Sequence, residues 1–392
     1  MKHRHIISST ILLLLAGLSR PAHAQTELTV SRDIDVPGRT KPIWVSMSGF
    51  TGEAAEVLKY DLYVQGFNFT NAENAQYLIS GSNDKNLEGR VTYPHSTKTL
   101  VAKAFRDAPM RRQAHAFGDA FVEALGRKGI GLTHIAFKVD TGPNSEVYVA
   151  DFDGHNPQQV THDNTIVAAP CWVPGHFELY YTSYKMGNPA IFSHNLLTGE
   201  RKTVAWYGGS SFSPAVSPDG SKVAMILGKS GSPDVYVADA DGSHLKQLTA
   251  TREDESSPCW SPDGKWICFA GKVHERRALY KVPASGGSIQ RIPTAGVLSP
   301  TEPDWSPDGK WIAFTAQMRN FEICIVPAEG GTVTELVTGE DPSWSPNSRT
   351  LIFTRRQGGR RVLSLLDVFT KQYKDVSRIS GSSSSSQPSW AR

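Results

Sequence analysis

The stretch "EPDWSPDGKWIAFTA" (302–316) reads as two short β-strands joined by a Pro-Asp-Gly turn. Apolar and aromatic residues flank the turn, Gly309 is free to take positive φ, and Pro307 fixes φ where the first strand ends. The same element returns as "APCWVPGH" (169–176), "SPAVSPDG" (213–220), "SPCWSPDG" (257–264), "DPSWSPNS" (341–348) and "QPSWAR" (387–392). With the Trp, or Val216 in its place, as marker, positions 172, 216, 260, 305, 344 and 390 lie 39 to 46 residues apart. That period, with several strands per unit, is what a β-propeller blade requires.

Each unit divides in the same way. A second strand follows the turn ("ELYYTSY", "KVAMILG", "KWICFAG", "KWIAFTA", "TLIFTRR"), then a third ("AIFSHNL", "DVYVADADG", "EICIVPAEGG"), then a short polar fourth ("LKQLTA", "VTELVT"). Gly, Asp and Pro punctuate the series every eight to twelve residues, which favours strands over helices. The strand "THIAFKV" (133–139) has no Pro-x-Trp strand before it, and "QPSWAR" has no second strand after it. One defect repairs the other if the last strand pairs with the first near Ile135, closing a sixth blade and leaving no open edge. Such long-range closure is tolerable because its entropy grows by only about 0.6 kcal/mol per doubling of loop length. The fold class expected is mainly β: a six-bladed propeller with terminal-strand closure, preceded by a small α/β domain.

Residues 1–24 combine Lys2 and Arg4, an apolar run from Ile6 to Leu18, and Ala22-His23-Ala24, the pattern of a secretory signal peptide cleaved after Ala24. Export of the mature chain is therefore expected. Removing Lys2, Arg4 and Arg20 leaves 38 basic against 38 acidic residues, a balance that argues against nucleic acid or an anionic membrane as main partner. The domain plan is residues 1–24 signal peptide, 25–130 α/β domain and 131–392 propeller. In the middle region "GEAAEVLKYDLYVQG" and "PMRRQAHAFGDAFVEALGRKGIG" carry helical spacing, and "KPIWVSMSGF", "AQYLISGSND", "LEGRVTYP" and "TKTLVAKAF" read as strands.

The search for chemistry returns little. The sequence holds no GxSxG elbow and no HExxH, and its histidines are scattered; His115 and His134 read as ordinary polar residues. "VADFDG" (Asp151, Asp153) and "VADADG" (Asp239, Asp241) lack the later oxygen ligands of a calcium loop and read as turns. Cys171, Cys259, Cys268 and Cys324 sit in apolar strands as buried thiols, with Cys259 and Cys268 in one hairpin as the pair to check. "RRQGGRR" (355–361) reads as solvated charge at a loop tip. No catalytic residue, metal ligand or cofactor is expected.

What remains is the polar segment before each Pro-x-Trp. If that strand is innermost in its blade, Ser210, Ser211, Asp254, Glu255, Ser256, Thr301, Glu302, Glu340 and Asp341 crowd one mouth of the central channel as a polar, acidic ring suited to peptide backbone, cations or water. The rival reading is an exported propeller with hydrolase, lyase or carbohydrate-binding activity in that channel.

The order of signal peptide, small α/β domain, "GIGLTHIAFKVD" and WSPDG blades closed by "QPSW" resembles the TolB family of Tol-Pal propeller proteins. The resemblance implies a monomeric, non-enzymatic periplasmic adaptor, attached to membranes only through its partners and serving outer-membrane integrity, cell division and protein transport. It implies a Pal-like peptidoglycan-associated lipoprotein at the propeller mouth, on the segments just before Pro-x-Trp including Ser210, Ser256 and Ser257, and a TolA-like inner-membrane partner on the N-terminal segment through Glu27, Leu28, Val30, Asp33, Ile34 and Val36. An extended segment such as "TELTVSRDIDV" suits strand addition to a partner's sheet edge. The chain departs from the pattern at "SPAV", which lacks the Trp, at "SPNS", which lacks Asp-Gly, and at Ser256 and Ser257, where the family often carries Thr-Glu.

Overall fold

The computed structural model describes residues 35–96, 98–207, 210–251, 253–272, 277–376 and 383–392. Its front layer is a five-stranded sheet in the order Phe67–Phe69, Ile43–Ser48, Tyr77–Ser82, Leu87–Thr92, Thr99–Phe105. Ile43–Ser48 pairs in parallel with both neighbours, so a crossover is needed, and helix α1 (Gly52–Tyr63) supplies it. Ala54, Val57, Leu58 and Leu62 of α1 and Ala114, Phe117 and Phe121 of helix α2 (Met110–Ala124) bury one apolar stripe each against the sheet. Gly89 permits that approach: a Cβ there would stand 2.4 Å from the Phe117 ring. The three-residue strand Phe67–Phe69 is too short to show a period in sequence and was not expected.

Six four-stranded sheets follow. Their innermost strands are Ser385–Trp390, Val167–Trp172, Ser211–Val216, Glu255–Trp260, Pro300–Trp305 and Glu340–Trp344, each packed on the next around a ring. The last strand closes it: Trp390 pairs with Ile135 and Ser389 with Ala136 of the strand His134–Asp140. Trp172, Trp260, Trp305, Trp344 and Trp390 are all buried, and two of their indoles reach the preceding blade. Trp260 Nε1 donates to Ala215 O at 2.8 Å and Trp344 Nε1 to Asp304 O at 3.1 Å.

The Ser-Pro-Asp-Gly turns are self-satisfied. Ser261 Oγ donates to Asp263 Oδ1 at 2.6 Å and accepts from Trp266 N at 2.9 Å, while Asp263 Oδ1 also accepts from Lys265 N at 3.1 Å. Ser217/Asp219, Ser306/Asp308 and Ser345/Asn347 repeat the first contact at 2.6, 2.7 and 2.6 Å. Where glycine stands at φ near 70° in the other turns, "SPNS" places Ser348 at φ 54°. The next residue, Arg349, turns toward the front layer, donating to Gln65 O at 3.2 Å and to Asp35 Oδ2 at 2.9 Å while pairing with the fully buried Asp367.

Candidate functional site

The inner strands run from one face of the ring to the other, so the residues before each Pro meet at one opening of the central channel. The channel is a cavity of about 690 Å³ lined at this level by Ala169, Ser213, Ser257, Glu302, Asp341 and Gln387. All six have left-handed backbones, with φ between 50° and 56°. None is glycine, and each left-handed L-residue costs roughly 1–2 kcal/mol. At each of them the strand slips its register against its neighbour, the signature of a β-bulge. The bulge re-aims the side chain into the channel.

Neighbouring blades cap these bulges in sequence. Glu302 Oε2 accepts from Asp341 N at 3.0 Å and from Thr315 Oγ1 at 2.6 Å. Asp341 Oδ2 accepts from Gln387 N at 3.1 Å, Gln387 Oε1 from Ala169 N at 3.0 Å, and Thr182 Oγ1 from Ser213 N at 3.2 Å. Burial, and then the neighbouring Glu302 charge, raise the Asp341 carboxyl well above the usual carboxylate range. Two residues further in, a second ring does the same: Cys171 Sγ accepts from Val216 N at 3.4 Å, Asp304 Oδ2 from Trp344 N at 2.7 Å, and Ser343 Oγ from Trp390 N at 3.2 Å. Toward the opposite opening the Arg392 guanidinium reaches across the channel to Asp304 and to the carbonyls of Trp305 and Trp344.

Of the residues expected at the mouth, Ser257, Glu302 and Asp341 line the channel. Asp254 is exposed, and Ser210, Ser256 and Thr301 are half-buried beside the opening. Glu340 is half-buried too, but Arg361 holds it at 3.1 Å and Arg356 at 3.5 Å, so the "RRQGGRR" hairpin is partly neutralised. Ser211 and Glu255 lie inside the protein at 0 % and 1 % exposure and present no side chain to the channel. Glu255 instead accepts from Thr249 Oγ1, from Thr251 Oγ1 at 2.9 Å and from Val235 N at 3.0 Å, and burial pushes its carboxyl up to about 7. Ala169, Ser213 and Gln387 were missed, although each stands directly before a Pro, as Ser257 does.

The mouth face is also the more apolar one. Ile166, Tyr184, Met186, Trp206, Tyr207, Leu298, Met318 and Phe321, each at least 36 % exposed, lie on or beside the segments joining strands at that end. On the opposite face the comparable residues of the ring among those described are Leu132, Phe177, Leu197 and Tyr373.

The pattern of the TolB β-propeller domain matches residues 122–392. The chain belongs to the TolB β-propeller family. The Tol-Pal system protein TolB of Bordetella pertussis is 29 % identical over 313 residues, covering 71 % of each chain. The counterpart from Bordetella parapertussis is likewise 29 % identical, with 71 % of this chain and 70 % of that one covered. Among solved structures, TolB from Acinetobacter baumannii superposes with a TM-score of 0.81 at 22 % identity over 91 % of this chain and 98 % of that one. That likeness extends the shared fold across the front layer as well as the ring.

The N-terminal residues Glu27, Leu28, Val30, Asp33 and Ile34 lie outside the described residues; Val36 is described and 45 % exposed. The cysteines are free thiols, with Cys259 and Cys268 directly opposite one another in register. Burial pushes the Cys171 thiol up to about 11. Among the described residues no three His, Cys, Asp or Glu side chains gather as a metal site, and no helix is long and apolar enough to cross a membrane. His115 is buried, with Nδ1 2.7 Å from Asp61 Oδ2.

Proposed function

We propose that the chain is a periplasmic, non-enzymatic adaptor of the Tol-Pal type. A peptidoglycan-associated lipoprotein docks at the propeller mouth, and a TolA-like inner-membrane protein engages the N-terminal segment. The reading rests on one observation above all. Six bulged, left-handed residues aim side chains into a channel whose surrounding face carries most of the exposed apolar residues described on the ring. A surface of that kind suits a protein loop, with apolar contact on the rim and polar groups at the centre. Strained backbones held in place by their neighbours are typical of sites built for binding. The names of the curated relatives supply the identity of the system.

The test is capture of a soluble Pal-like domain. Glu302→Lys and Ser257→Tyr, both in the channel, should each weaken capture at least tenfold, whereas Phe177→Ala on the far face should leave it unchanged. Undiminished capture by folded channel variants would move the site elsewhere. Removing residues 25–34 should abolish capture of a TolA-like domain while sparing the lipoprotein.

A further inference from the structure

The ring is covalently continuous except at one seam, where Ser385–Trp390 joins His134–Asp140 through pairing alone. The front layer sits across that seam. Val64, at the end of α1, is fully buried in one cluster with Ile135 and Phe152 of the first blade, Ile352 and Leu365 of the last, and Trp390 of the closing strand.

Both sides of the seam are gripped. On the last blade, Tyr60 Oη donates to Asp375 O at 3.2 Å, Thr350 Oγ1 to Val64 O at 3.3 Å and Gln372 Nε2 to Phe67 O at 3.0 Å. On the first blade, Asp153 pairs with Arg111 and stands 3.7 Å from His115 Nε2. Phe152 is the joint between the two: its ring is 5.5 Å from His115, 6.3 Å from Tyr60 and stacked 6.2 Å from Trp390.

We propose that the front α/β layer is the lock of the propeller ring. Opening the seam would require a blade to leave not only the closing strand but also the layer of sheet and two helices that contacts both the first and the last blade. Closure by a single strand would let that edge open locally at low cost, since sheet edges and terminal strands are the first to exchange. With the layer in place the seam opens only when the layer lifts. The role concerns the ring itself and does not depend on what docks at the mouth.

Amide hydrogen exchange on the full-length chain tests this. In Tyr60→Ala, which removes both the ring beside Phe152 and the hydroxyl bonded to Asp375, exchange in residues 385–390 and 134–140 should quicken at least tenfold. Residues 300–305, the inner strand of the fifth blade, should keep the wild-type rate. A seam that exchanges as in wild type would overturn the proposal, and so would equal acceleration of every inner strand, which would mean that the ring opens as a whole. Should Tyr60→Ala fail to fold, Gln372→Ala removes one contact to Phe67 O and should give the same pattern with roughly threefold acceleration; no seam-specific change there would equally overturn it.

Discussion

Glu302 accepts a hydrogen bond from the backbone N–H of Asp341 at 3.0 Å, so a channel carboxylate on one blade satisfies the strained turn of the next. Replacing Glu302 by Ala takes the acceptor from the Thr315 hydroxyl and leaves the Asp341 N–H only its second contact, Thr315 Oγ1 at 3.1 Å, at a cost of about 1–3 kcal/mol. Glu302→Gln keeps a carbonyl oxygen in reach and should lose less than about 1 kcal/mol. Urea unfolding of the two variants separates them; equal losses would mean that the charge, not the acceptor, holds the bulge.

The pH dependence of stability should carry a contribution from Glu255. Burial lifts its carboxyl from 4.5 to about 7, so the folded protein binds that proton more tightly than the unfolded chain does. The associated stability is complete below about pH 4.5 and is lost as pH rises through about 7, by up to about 3 kcal/mol. Thermal melts from pH 5 to 8 should therefore fall less steeply for Glu255→Gln than for wild type. Parallel curves would show that the carboxyl is not held above its unfolded value.

The ring was legible in sequence because its determinants are local: Trp305, Pro307, Asp308 and Gly309 each act within one hairpin, and the period makes them visible. The bulges were not. A residue before Pro is ordinarily pushed toward extended backbone, yet Ala169, Ser213, Ser257, Glu302, Asp341 and Gln387 all take φ near +50°. Contacts from the adjacent blade cap the backbone N–H of Ala169, Ser213, Asp341 and Gln387, and such contacts have no sequence signature. The grip of the front layer was equally hidden, since His115 and Asp153 come from distant segments. Its one visible trace is the departure "SPNS", where Arg349 follows the turn and binds the front layer.

Closure by the last strand predicts an outsized role for Trp390. Its indole is 2 % exposed, stacks on Phe152, and donates from Nε1 to Thr133 Oγ1 at 2.8 Å. Trp390→Ala should cost about 3–5 kcal/mol, as for other large buried aromatics. Trp390→Phe retains the stacking and should recover much of that loss. A truncation of residues 387–392 that melted like wild type would show that the ring is closed in some other way.

Arg349 is the test of whether the lost Asp-Gly turn was exchanged for a junction. It lies 5 % exposed between Asp367, which has no exposed surface, Asp35 and the Gln65 carbonyl. Removing one partner of a buried ion pair typically costs about 3–5 kcal/mol, because the remaining charge has lost its counterpart. Arg349→Ala should approach that range, although Thr370 N and Oγ1, both 2.8 Å from Asp367 Oδ1, soften the loss. Lysine keeps the charge but cannot serve three acceptors from one planar fork, so Arg349→Lys should recover only part of the stability. The double variant Asp367→Asn/Arg349→Ala should be less damaged than the sum of its single changes, since no buried charge is then left unpaired. Strict additivity in denaturant unfolding would mean that the two side chains, despite their contact, do not hold the junction together.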